Sequence, residues 1–218
     1  MCCEMEMPGG WTMSMMWMRM PGQTWFASAA GFLFMWLAMM VAMMLPSVLP
    51  TFLNIQRASV ALSAIATGYF VVWLANGVGI YALGVAFAAA AMRWETFSRI
   101  VPALSGAALM AAGAFQITRW KMTGLLGCRS PFGCVTACPE RETNFRLGCK
   151  QGATCCLCCA APMIILIVLG MMNPLVIVGL TLVIAAEKIL PRPEIIAQLV
   201  GIAAIIAGAI TTVLNVGV

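Results

Sequence analysis

Apolar residues fill this chain in long unbroken runs, without the strict alternation of a half-buried strand or the single stripe of a surface helix. Residues 25–45 carry no charge, and Pro46 and Pro50 are expected to end or kink the helix they form. Arg57 and Arg93 bracket 35 uncharged residues. A bilayer core of about 30 Å takes about 20 residues of upright helix. The second run is therefore too long for one upright crossing and too short for two with a loop. It is expected to form one long tilted helix, with Asn76, Gly77 and Gly79 as its candidate kink. Residues 100–118 and 155–172 form a third and a fourth run, and Asn173-Pro174 reads as a turn. Residues 175–186 make a short fifth run ending at Glu187-Lys188, and residues 194–216 a sixth. The pattern predicts an all-α, polytopic transmembrane bundle of six spans, with five or seven as alternatives. A Met/Cys-rich tail (1–24) would precede a single transmembrane domain (25–218), with a polar, Cys-rich loop (120–154) between the third and fourth spans.

Composition strengthens this picture. The 218 residues are 63% hydrophobic and 9% charged, against about 25% charged in soluble domains. That charge cannot cover a water-soluble monomer. No basic stretch followed by a long aliphatic one opens the chain, so no signal peptide is expected. Residues 11–20, rich in Met and Trp, would instead lie in the headgroup region as a short helix. With six spans, nine of the 12 Lys and Arg fall on one side, namely Arg57, Arg119, Lys121, Arg129, Arg141, Arg146, Lys150, Lys188 and Arg192. The positive-inside rule makes that side cytoplasmic, together with the Cys-rich loop, and puts both termini outside. The net charge of +5 is this loop asymmetry. No basic run is interleaved with aromatics as single-strand binders require, so no nucleic-acid partner is expected.

Sulfur dominates the remaining chemistry. The chain has 19 Met and 10 Cys but no His and no Asp. His-ligated haem, Ser-His-Asp and Cys-His catalysis and His-based zinc sites are thereby excluded, and no catalytic residue suggests itself. Eight Met lie in the first 20 residues. Cys2, Cys3, Met5, Met7, Met13 and Met16 would form a flexible soft-ligand segment suited to capturing Cu(I), or else a Met-rich surface packed on lipid or a partner. Met39, Met40, Met43 and Met44 recur on helical spacing within the first span. They read either as a sulfur relay leading inward or as filler for irregular helix contacts.

Eight cysteines fall between Cys128 and Cys159. On a helix Cys155 shares a face with Cys158 and Cys159, and Cys156 with Cys159, so two or three thiols can converge, with Cys128 or Cys149 as further ligands. Packing alone would explain one such cysteine; it explains eight in 32 residues poorly. Cys128, Cys134, Cys138 and Cys149 lack the paired knuckles of zinc sites and match no iron–sulfur run. Cu(I), which accepts two or three sulfurs, suits the spacing better than zinc or iron–sulfur. Gly148 and Gly152, four apart, would allow close backbone approach beside these cysteines. Glu187 and Lys188 are either a functional intramembrane ion pair or an interfacial pair with a snorkelling Lys, and Arg119 and Lys121 read as interfacial anchors.

Several of these stretches resemble a bacterial family of uncharacterised, predicted metal-binding integral membrane proteins, some labelled copper chaperones. They are MVAMMLPSVLP (40–50), the WK and GCRSP elements (120–131), GCKQGATCCLCC (148–159), GMMNP (170–174) and Glu187-Lys188. The family's C-x-x-C-C element falls on Cys155, Cys158 and Cys159, with Ala160 where the family has Trp. Its CRxP element falls on Cys128, Arg129 and Pro131. The resemblance implies copper binding in a bacterial inner membrane and no particular reaction. Three functions follow: a Cu(I) chaperone or delivery protein, a structural or accessory subunit of a larger membrane complex, or a membrane thiol–disulfide relay through Cys155-x-x-Cys158. The expected partners are lipid and another membrane protein.

Overall fold

A computed structural model of the chain describes residues 4–19, 22–57, 62–129 and 144–216. Among these residues two short strands, β1 (Glu4–Met7) and β2 (Trp11–Ser14), precede eight helices. These are α1 (Trp25–Arg57), α2 (Leu62–Arg93), α3 (Glu95–Ile117), α4 (Arg119–Arg129), α5 (Asn144–Cys158), α6 (Ala160–Leu169), α7 (Pro174–Ile189) and α8 (Pro193–Val216). The described part of the uncharged run between the two arginines is one helix, α2. Neither Pro46 nor Pro50 ends α1, which runs on to Arg57.

Among the described residues four helices, α1, α2, α3 and α8, are long and apolar enough to cross a membrane. The pair α5–α6, bent by 58°, makes a fifth if it counts as one span. The run expected as the fifth span is α7, whose 16 residues reach about 24 Å, short of a core of about 30 Å. Large apolar side chains such as Phe26, Leu83, Leu175 and Val213 point outward. All are on helices, where lipid would meet them.

Two segments fold differently from expectation. The tail between residues 4 and 14 is an antiparallel hairpin pairing Met5 with Met13 and Met7 with Trp11. Pro8-Gly9-Gly10 makes its turn, with both glycines at positive φ, a conformation that favours residues without a Cβ. The period-2 spacing of Met5, Met7, Trp11 and Met13 puts them on one face, and Met7 and Met13 are buried against Ala88 and Ala91 of α2. Pro102, within α3, lacks the N–H that would bond the Ser98 carbonyl. The Trp11 indole donates to that carbonyl instead (3.0 Å), and Ser98 Oγ donates to the Pro8 carbonyl (2.7 Å). The second departure is the supposed loop 120–154. Its described parts are helical, α4 and the start of α5, because Gly148, Gly152, Cys155 and Cys158 make one buried stripe at helical spacing.

That stripe packs on α2 with little room. A Cβ on Gly148 would overlap the Ile65 backbone, and one on Gly68 the backbone at Phe145. Gly106 with Gly208 and Gly113 with Gly201 bring α3 and α8 together in the same way. Gly148→Ala should therefore destabilise the protein by about 1–3 kcal/mol through overpacking. Gly179→Ala, where a Cβ meets nothing, should be neutral or slightly stabilising. Thermal unfolding of the two variants in detergent separates these outcomes.

Candidate metal centre

The close approach of α5 to α2 sets Tyr69 against Cys155. The Tyr69 hydroxyl donates to Cys155 Sγ at 3.0 Å. Three thiols, Cys128 from α4 and Cys155 and Cys158 from α5, are buried with their sulfurs all within 4.8 Å of one another, a grouping able to hold a metal ion. The Cys128 and Cys158 sulfurs are 3.2 Å apart. Cys159, at the break between α5 and α6, lies 3.9 Å from Cys155 and 3.6 Å from Cys158. All four are free thiols. Cys149 and Cys156 are half-buried free thiols outside the three-thiol group. Cys2, Cys3, Cys134 and Cys138 lie outside the described residues.

The helix break has a local cause. Pro162 has no N–H to offer the Cys158 carbonyl one turn earlier. Lys121 fills the gap, its ammonium donating to the Cys158 carbonyl at 2.6 Å. The same ammonium bonds Glu187 Oε2 at 2.8 Å, and Gln116 Nε2 donates to Glu187 Oε1. Lys121, Glu187 and Gln116 are all buried. Lys121 is thus not an interfacial anchor but the strut between α7 and the helix break. Arg119, two residues earlier, is exposed.

Lys188, the neighbour of Glu187, turns to the thiols, with Nζ 3.1 Å from Cys155 Sγ. Each member of the Glu187-Lys188 pair therefore bonds a separate part of the centre. A cation and a phenol hydroxyl against one sulfur is the setting in which a cysteine serves as a thiolate ligand. Cys128, on α4 outside the candidate spans, is held well above the ordinary thiol range, first by its hydrogen bond with Cys155 and further by burial.

On the far side of Cys155, Met44 Sδ lies 4.0 Å from Cys155 Sγ. Met39, Met40, Met43 and Met44 are all buried in the main core. Met40 and Met44 continue a row that begins with Phe32 and Trp36. Phe32 packs on Trp36 and on Trp17, which follows the hairpin, and Met16 also packs on this core. The column from the hairpin to the thiols is thus aromatic at its hairpin end and sulfur at its thiol end. The hairpin and the thiols sit at opposite ends of α2, since Tyr69 and Ala88 are about 28 Å apart at ~1.5 Å rise per residue. Met5 is half-buried, and Met7 and Met13 are spent on packing.

Tyr69 and Gln116 complete the surroundings of the thiols without a motif to announce them. The signal available for Gln116 was an amide in an otherwise apolar span, and for Tyr69 one of only two tyrosines in the chain.

Neither a curated protein nor a solved structure matches the chain. A family model described as PpoB2, copper chaperone, matches residues 33–211. That stretch holds every described cysteine, Tyr69, Met44, Lys121, Glu187 and Lys188, and excludes the hairpin. The chain belongs to this copper-chaperone family.

Proposed function

We propose that the chain is an integral membrane copper chaperone whose cargo, Cu(I), is held by Cys128, Cys155 and Cys158. The observation carrying this reading is the buried three-thiol group from two helices. Thiolates select Cu(I) among the biological metals, and three convergent sulfurs satisfy it without His or carboxylate. Membership of a copper-chaperone family points to the same cargo. Lys188 offsets part of the negative charge of the loaded site, and Tyr69 orients the Cys155 sulfur. Lys121 and Glu187 hold the helix break that presents Cys158. Met44, beside Cys155, is the natural first station for an ion arriving or leaving by exchange between sulfurs. Met39, Met40 and Met43 are candidates for the stations beyond it, and Cys2, Cys3, Met5 and Met16 for capture near the tail.

The outward apolar faces support residence in a membrane, proposed to be a bacterial inner membrane with the basic Cys-rich side in the cytoplasm. They also suit a membrane-protein acceptor of the copper or a larger complex in which the chain is an accessory subunit. Metal analysis of protein purified under reducing conditions tests the proposal. Copper should be retained by the wild type and lost from Cys155→Ser/Cys158→Ser/Cys159→Ser. Equal, background copper in both would sink it.

A second reading, a thiol–disulfide relay, draws on the 3.2 Å approach of Cys128 to Cys158. It requires a mixed disulfide with a partner to be trapped once Cys128→Ala removes the neighbouring thiol, and repeated failure to trap one counts against it.

A further inference from the structure

Four buried thiols, and not three, crowd the helix break, and their arrangement is not that of a single closed site. A tetrahedral ion with metal–sulfur bonds of about 2.3 Å needs all its sulfurs about 3.8 Å apart. Cys128, Cys155 and Cys158 form one triangle with sulfurs within 4.8 Å of one another, and Cys159 is not part of that group. Cys159 instead closes on the opposite pair, 3.9 Å from Cys155 and 3.6 Å from Cys158. The result is two triangles that share the Cys155–Cys158 edge, with Cys128 and Cys159 as the outer corners. For the same bond length a trigonal site needs sulfurs about 4 Å apart. Cys159 lies 3.9 Å from Cys155 and 3.6 Å from Cys158, near that spacing, and the Cys128–Cys158 pair, at 3.2 Å, would open toward it on binding.

We infer that this centre binds two Cu(I) ions, with the Cys155 and Cys158 thiolates bridging them and Cys128 and Cys159 each completing one site. The inference rests on the copper reading above and gives it a stoichiometry. Two monovalent ions and four thiolates carry two negative charges in excess. The surroundings supply compensation at a bridging sulfur, since the Lys188 ammonium and the Tyr69 hydroxyl both reach Cys155. At the other bridge, Cys158 is fixed through its own carbonyl by Lys121. A two-ion site also accounts for the adjacent cysteines at 158 and 159, where a single trigonal ion would use only one of them.

The test uses the full-length chain with Cys2, Cys3, Cys134 and Cys138 changed to Ser, reduced and loaded with Cu(I) under competition from a chromophoric Cu(I) chelator. Two copper ions per chain are expected, with copper–copper scattering in the X-ray absorption spectrum. Cys159→Ala in this background should bind one ion and lose that scattering, and Cys128→Ala should do the same from the other corner, so the result does not hang on the folding of one variant. One ion per chain without copper–copper scattering overturns the pair and leaves the chaperone reading standing. So does a Cys159→Ala variant that still binds two. No copper in the parent overturns both.

Discussion

Changing Cys155 to serine should lower the affinity for Cu(I) more than any other single substitution, by at least about 100-fold. Its sulfur lies in the three-thiol group and also meets Cys159, Met44, Tyr69 and Lys188, so its loss removes a ligand and strands the donors arranged around it. Outer partners of a metal ligand typically account for about 10–100-fold in affinity. Lys188→Met and Tyr69→Phe should each fall in that range, below the loss of the ligand itself. Cys156→Ser is the control. It changes the neighbouring thiol, which lies outside the three-thiol group, and should leave the affinity unchanged. Titration against a chromophoric Cu(I) chelator ranks the four variants. A Cys156→Ser effect equal to that of Cys155→Ser would mean that another set of thiols holds the ion.

The largest effect on stability should come from the strut beneath the thiols. Lys121 and Glu187 have side-chain exposures of 0% and 3%, and removing one partner of such a pair leaves an uncompensated buried charge. Glu187→Leu or Lys121→Met alone should cost about 3–5 kcal/mol. The double variant should recover much of that, because no charge is then stranded. Recovery should be incomplete, since the Cys158 carbonyl loses its Lys121 donor and Gln116 its carboxylate, groups that cost about 1–3 kcal/mol each when left unsatisfied. Thermal unfolding of the three variants measures the coupling. Strictly additive losses would show that the two charges act separately.

The long apolar helices were legible in the sequence because hydropathy reports length and polarity directly, whereas the more polar α4 and the start of α5 read as loop. The run between Arg57 and Arg93 read as one tilted helix, and Gly148 and Gly152 marked a close backbone approach without naming α2 as its partner. Cys155 and Cys158 could be put together from their spacing alone. Cys128 could be listed but not placed, since its approach depends on α4 being a helix that folds back on α5. Lys121 was misjudged for a related reason. Beside Arg119 it reads as an interfacial cation, and only the carbonyl freed by Pro162, four residues beyond Cys158, explains why an ammonium is wanted in the interior. The hairpin was hidden by composition. Its Met and Trp residues suggest an interfacial segment, and the alternation that makes it a strand pair spans only four residues on each side.

The ligands of the bound ion are the most direct test of a Cu(I) site built from Cys128, Cys155 and Cys158. Copper-edge X-ray absorption of the reduced, copper-loaded protein should show Cu(I) with a first shell of sulfur only, and Cys155→Ser/Cys158→Ser/Cys159→Ser should lose both the copper and the signal. A first shell containing nitrogen or oxygen, or a spectrum unchanged in the triple variant, would contradict it.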